Sequence, residues 1–258
     1  MRIWLSPVVF DWEPYPRATI PNDSYRVRRP HAILAHAEEI LSKNESEFAI
    51  ADSILGLKRA INSRLRHLDE IYGFRELFPK QGGSLERLEQ VGLTRPFLIK
   101  QLFELRNDIE HKDAMPPGAK RTRELIDAVW YFLRATDAAC KSIPCEFNLR
   151  SSGEGSYSNP VLWLNVEILP DHCQRRFQIS GWLSLDLISE IEQPGFLLLE
   201  LSVIRSKSSG PPDPVDPISM GAYLHDVARG DDERWIQAQA DIPHDLRRQI
   251  WRLAFETL

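Results

Sequence analysis

Cysteine is scarce in this chain and badly placed for cross-linking: Cys140, Cys145 and Cys173 are odd in number and form no CxxC pair. That argues against a disulfide framework and leaves ordinary reduced thiols as the expectation. No apolar run approaches the ~18 residues a membrane span needs, and Met1 to Pro30 carries too many charges and prolines for a signal peptide. The expected protein is soluble and cytoplasmic, without a membrane partner. A Walker A sequence, GxGxxG, GxSxG and HExxH are all missing. Nucleotide hydrolysis, dinucleotide redox chemistry, serine esterase and zincin activities therefore find no support.

A strong charge of one sign is lacking as well, but the charge is uneven along the chain. Residues 1 to 145 hold 22 Lys and Arg against 20 Asp and Glu, and residues 146 to 258 hold 10 against 17. The first part is near neutral and has room for a local basic cleft, whereas the second repels polyanions over its own surface. Any nucleic acid is expected on the first part.

What is present divides at a change of period. Met1 to Pro30, with five prolines, reads as an irregular arm. Residues 31–144 read as a helical bundle. Helices are expected over about His31 to Lys43 with the stripe Ile33, Ala37, Ile40 and Leu41, and over Ser46 to Tyr72 with Ile54, Leu57, Ile61, Leu65 and Leu68. Two more are expected, one ending near His111 and one over Thr122 to Lys141. Residues 145–258 switch to period two, as in Leu164, Val166 and Ile168 and in Phe177 and Ile179, before a last helix from about Asp245. The fold class expected is α+β: an N-terminal helical bundle, then a small antiparallel sheet domain with a C-terminal helix.

The stretch that looks chemical is Leu105-Arg106-Asn107-Asp108-Ile109-Glu110-His111. It ends an amphipathic helix whose apolar positions are Phe97, Leu98, Leu102 and Leu105, just before Met115-Pro116-Pro117-Gly118 forbids further helix. Arginine offers a planar fork for phosphate oxygens, and histidine titrates near neutral pH. Five helical positions turn the chain by roughly 140°, so one copy of the pair is not a compact site. Two copies meeting at a two-fold axis would converge on one cleft and suit metal-free attack of a ribose 2′-hydroxyl on its phosphate. Asn107, on the face of His111, is placed to orient the ring or touch the phosphate. The plainer alternative is an Arg106/Glu110 surface ion pair with His111 capping the helix dipole.

The Arg-Asn-Asp-Ile-Glu-His string resembles the Arg, four to six residues, His signature of HEPN domains, with the polar residue after the arginine supplied by Asn107. The likeness extends over roughly residues 30 to 141. The resemblance implies a helical bundle that dimerises and a metal-independent endoribonuclease acting on single-stranded RNA, often a toxin or anti-phage effector held by an antitoxin or regulatory protein. It makes Arg106 and His111 the catalytic pair and Asn107 their assistant, with no cofactor. Lys58, Arg59, Arg64 and Arg66, along one side of the second helix, are the expected RNA flank. A catalytically inactive module that binds RNA or a partner protein is the alternative.

Metal ligation finds little support. His31 and His36 are five apart, a poor chelating spacing, and Asp171-His172-Cys173 reads as a turn between strands, without a second ligand pair.

Overall fold

A computed structural model describes residues 1–78, 82–112, 114–151, 163–168, 176–206, 232–241 and 243–258. The chain is α+β and divides into two compact units, Ile20–Ile143 and a second comprising Met1–Thr19 with Pro144–Thr257.

The helical unit holds α1 (Tyr25–Lys43), α2 (Glu47–Tyr72), the short α3 (Phe74–Leu77) and α4 (Ser84–Gln90), α5 (Phe97–Lys112) and α6 (Ala119–Lys141). Helix α2 begins where Ser46 Oγ accepts the Ala49 N–H at 3.4 Å, and it ends at Gly73, whose φ of 62° is cheap only for glycine. Helix α1 starts six residues before the expected His31, and Pro30 lies inside it. Pro30 is near the first turn, so its missing N–H leaves only the Arg26 carbonyl unserved, while Val27 and Pro30 gain burial. Leu34, Ala37 and Leu41 of α1 face the core with Ile54, Leu57, Ile61, Leu68 and Tyr72 of α2 and Leu125, Val129 and Leu133 of α6.

Two expected stripes are rotated. Ile33 and Ile40 are only half-buried, and in α5 Phe97 and Leu98 are exposed while Ile99 and Leu102 are buried. Helix α1 approaches α2 at Gly56, where an added Cβ would lie 3.0 Å from Ala37 Cβ. Ser53 Oγ fixes the same crossing by donating to the Ala37 carbonyl at 3.0 Å.

The second unit is built on an eight-stranded antiparallel sheet: β1 (Arg2–Leu5), β2 (Glu13–Pro21), β3 (Ser142–Arg150), β4 (Trp163–Ile168), β5 (Arg176–Ser184), β6 (Ile188–Ser189), β7 (Leu197–Ser206) and β8 (Glu233–Asp241), in the order β2-β3-β4-β5-β8-β7-β1-β6. Leu201, Ala238, Ile179, Val166 and Phe147 stand opposite one another across β7, β8, β5, β4 and β3. Their neighbours Glu200, Gln239, Gln178, Glu167 and Glu146 form the polar row of the other face, as the pleat requires. Helix α7 (His244–Glu256) buries Ile250, Trp251, Leu253, Ala254 and Phe255, and Gln249 Nε2 donates to the Phe10 carbonyl at 3.0 Å.

The irregular arm expected over residues 1–30 is corrected here. Arg2 to Leu5 pair with Glu200 to Leu197, and Ile3 and Leu5 are buried in the sheet unit. The prolines of the arm fall outside β1 or within β2, a strand at the sheet margin, where a missing N–H is tolerated. The turn expected at Asp171, His172 and Cys173, and most of the loop Ser206 to Pro217, lie outside the described residues.

Candidate functional site

Helix α5 brings Arg106 to the wall of a cleft of about 600 Å³, whose other walls are α1 and α2. Ile33, His36 and Ile40 enter from α1, and Asp52, Leu55, Lys58, Arg59 and Asn62 from α2. The close α1/α2 crossing forms its floor, since Ala37 and Gly56 also line it. Ile33 and Ile40 leave the core stripe because their face of α1 lines this hollow.

Asn107 Oδ1 is the hub of the basic wall. It accepts from Arg106 Nη1 at 3.1 Å and from Lys58 Nζ at 3.5 Å. Lys58 also stands 5.5 Å over the Phe103 ring. Burial, and then the neighbouring Arg106 charge, hold the Lys58 ammonium below its ordinary range. Two cations packed this way create a potential that favours an anion. Glu110 offsets it in part: its Oε2 is ion-paired with Arg106 Nη2.

His111 Nε2 is 3.9 Å from the same Glu110 oxygen, but its side chain is 70% exposed against 21% for Arg106. The two members of the pair expected from the sequence thus meet one Glu110 oxygen but differ in burial, with the guanidinium in the cleft wall and the imidazole at the open helix end. Helix α5 closes with Lys112 Nζ on Asp108 Oδ1 at 2.7 Å and the Ala114 N–H on the Asp108 carbonyl at 3.2 Å. The two prolines that follow prevent continuation.

The four cations expected on the RNA flank separate. Lys58 and Arg59 line the cleft with Arg106. Arg66 opens into a different, smaller pocket. Arg64 is corrected: it has no side-chain exposure and binds Asp137, so it is part of the core and not of an RNA surface. A repeat of basic residues along a 26-residue helix passes through every direction around the axis, and one of them fell on the core side.

His36 and Asn62 line the cleft although sequence reasoning did not place them there, whereas the Arg106/Glu110 ion pair of the plainer alternative is present. The signal for His36 is the spacing of Ile33, His36 and Ile40, which repeats by three and four along one face of α1, and that for Asn62 is its place three and four residues after Arg59 and Lys58 on α2. Among the described residues no group of three or more His, Cys, Asp or Glu is arranged to hold a metal, and no described helix is long and apolar enough to cross a membrane. The chain matches no protein-family model, no curated protein and no solved structure.

Proposed function

We propose that the helical unit is a metal-independent endoribonuclease of HEPN type, acting as a homodimer on single-stranded RNA. The observation that carries this reading is Arg106 turned into a basic cleft beside Lys58, both held by Asn107 Oδ1. A fixed guanidinium with an adjacent ammonium fits a phosphodiester, whose non-bridging oxygens take charge-assisted hydrogen bonds.

The chemistry is an internal transfer. The ribose 2′-oxygen attacks the adjacent phosphorus, the bond from phosphorus to the 5′-oxygen breaks, and a 2′,3′-cyclic phosphate remains. One imidazole accepts the 2′-hydroxyl proton, and a second protonates the departing 5′-oxygen. One chain supplies one His111, exposed at the helix end beside Glu110, and a second copy supplies the other. Arg106 and Lys58 balance the charge that develops on the phosphate. A role as a toxin or anti-phage effector in the cytoplasm, restrained by an antitoxin or regulatory protein, belongs to the same proposal.

Incubating the purified protein with single-stranded RNA and a chelator tests it. Cleavage to cyclic-phosphate ends is expected from the wild type, and none from His111→Ala or Arg106→Ala with unchanged circular dichroism. Undiminished cleavage by either variant removes the assignment.

A second reading has its own support. Glu110 engages Arg106 and stands close to His111 within the single chain, as in a quiescent module that binds RNA or a partner protein without turnover. Retention of RNA by wild type without any product favours that reading.

A further inference from the structure

The two ends of the α1/α2 groove are lined differently, and the end away from Arg106 holds a second pocket. It has a volume of about 220 Å³ and is lined by Tyr25, Arg26 and Arg29 of α1 and by Ser63, Arg66 and His67 of α2, with Glu70 at its edge. We propose that this pocket binds a second phosphate of the same single-stranded polynucleotide, so that the strand lies along the α1/α2 groove and is held at two points. The identity of the polyanion rests on the nuclease reading above.

Charge is the first argument. Three guanidiniums face one carboxylate. Glu70 is taken by Arg26, with which it forms an ion pair, and among the described residues neither Arg29 nor Arg66 has a carboxylate partner. Among the described residues Arg66 bonds only from Nε to the Asn62 carbonyl, at 3.5 Å, the long limit of a hydrogen bond. An oxyanion entering here meets two uncommitted forks and the hydroxyls of Tyr25 and Ser63.

The second argument is independent of surface charge. His67 is 6% exposed, and Asn22 Nδ2, which also donates to the Cys140 carbonyl at 3.0 Å, lies 3.3 Å from its Nε2. An amide NH2 only donates, so Nε2 accepts and the ring proton sits on Nδ1. Nδ1 is enclosed and makes only a long contact, 3.7 Å, with the Glu70 carboxylate that Arg26 already engages. A buried donor with no closer acceptor than this, on a residue lining a basic pocket, is one that an anion's oxygen would satisfy better.

The third argument is alignment. On α1 the residues Arg29, Ile33, His36 and Ile40 recur at helical spacing, and on α2 Arg59, Asn62, Ser63 and Arg66 do so, so the two pockets open on one side of the helix pair. Arg59 and Arg66 are seven residues apart, about 10 Å along the axis. That equals roughly three stacked nucleotide steps at about 3.4 Å each, and fewer for an unstacked strand. A dinucleotide therefore fills one pocket only, and a hexanucleotide reaches both.

The test uses full-length protein and 2′-O-methyl RNA, which cannot undergo the internal transfer. Binding of a dinucleotide and a hexanucleotide is titrated against salt for wild type, Arg29→Gln/Arg66→Gln and Arg29→Lys/Arg66→Lys, with thermal melts as a fold check. Hexanucleotide affinity is expected to fall about tenfold or more in the glutamine pair, with the salt slope reduced by roughly 0.7 to 1.4. The lysine pair should retain most of the affinity, and the dinucleotide should bind all three proteins alike. Equal losses for both lengths, or none for the hexanucleotide, overturns the second subsite. Inorganic phosphate supplies a further arm: if it is lost from the glutamine pair while RNA binding is untouched, the pocket takes a small anion and the proposal fails. Cleavage by wild type with unaltered RNA binding by the glutamine pair would sink this inference alone, whereas length-dependent binding without cleavage would sink only the nuclease.

Discussion

Arg64 Nη2 donates to Asp137 Oδ1 at 2.6 Å inside the helical unit, the guanidinium wholly enclosed and the carboxylate 9% exposed. Arg64 also donates to the carbonyls of Thr136 and Val27 at 3.4 and 3.5 Å, which spreads its donors over α1 and α6. Asp137 is ringed in turn, with His31 Nε2 2.9 Å from Oδ1 and Lys141 Nζ 2.9 Å from Oδ2. Burial by itself raises the carboxyl's pKa, but hydrogen bonds from His31, Lys141 and Arg64 outweigh it and bring it to about 2.

Removing one partner of this network strands the other's charge in the core. Asp137→Ala or Arg64→Ala is expected to cost about 3–5 kcal/mol in chemical denaturation, because desolvation is then uncompensated. Arg64→Met with Asp137→Leu should cost much less than the sum of the two single changes. A double variant as unstable as that sum would show that the ion pair itself, and not its orphaned half, supplies the stability.

Acid should unfold the helical unit through Asp137. Its folded pKa of about 2 lies below the ordinary 3.8, so its contribution is complete above the unfolded value and is lost as pH falls from about 4 toward 2. A lowering of that size amounts to about 2 kcal/mol. Stability followed against pH should show this loss in wild type and a flatter profile in Asp137→Asn. The same slope in both proteins contradicts the assignment.

Gly56→Ala tests the helix crossing under the cleft. Alanine improves helix propensity by about 1 kcal/mol, yet its Cβ would stand 3.0 Å from the buried Ala37 Cβ, which is no flexible side-chain end that can swing aside. Overpacking of about 1–3 kcal/mol is expected to win, giving a net loss of about 1 kcal/mol by thermal denaturation. A stabilised variant would mean that α1 retreats at little cost.

Glu110→Gln should bare Arg106. The carboxylate competes with any phosphate for the guanidinium, and a partly exposed pair of this kind is worth up to about 1 kcal/mol. RNA affinity is expected to rise by up to about fivefold, with steeper salt dependence. Weaker binding would mean that Glu110 positions Arg106 and does not compete for it.

Ile3→Asp probes the first strand. Ile3 is 1% exposed opposite Leu199, and an unpaired carboxylate there should cost several kcal/mol and give early proteolysis of the sheet unit. Wild-type resistance would return Met1 to Leu5 to the status of an arm.

Much of the architecture was legible in local pattern. Helix α2 carries its start in Ser46, its stop in Gly73 and its stripe between them, and the alternation in Leu164, Val166 and Ile168 marked a strand burying one face. Strand β1 was not legible: four residues among prolines do not reveal a partner that follows nearly two hundred residues later at Leu197 to Glu200. Strand β3 is not legible either, because Phe147 and Leu149 are too short an alternation to stand out. At the site, the spacing of Arg106, Asn107 and His111 was visible, but the neighbours that define their surroundings were not.

The order of apolar and polar residues, and the glycines and prolines between them, determined which segments are helix and which are strand, because those preferences act over a few residues. Which side of α1 meets the core, and which basic residue of α2 is swallowed by Asp137 while Lys58 and Arg59 remain at the cleft, was decided only when distant segments packed. A side chain's burial and its counter-charge are set by neighbours remote in the chain, and local sequence holds no record of them.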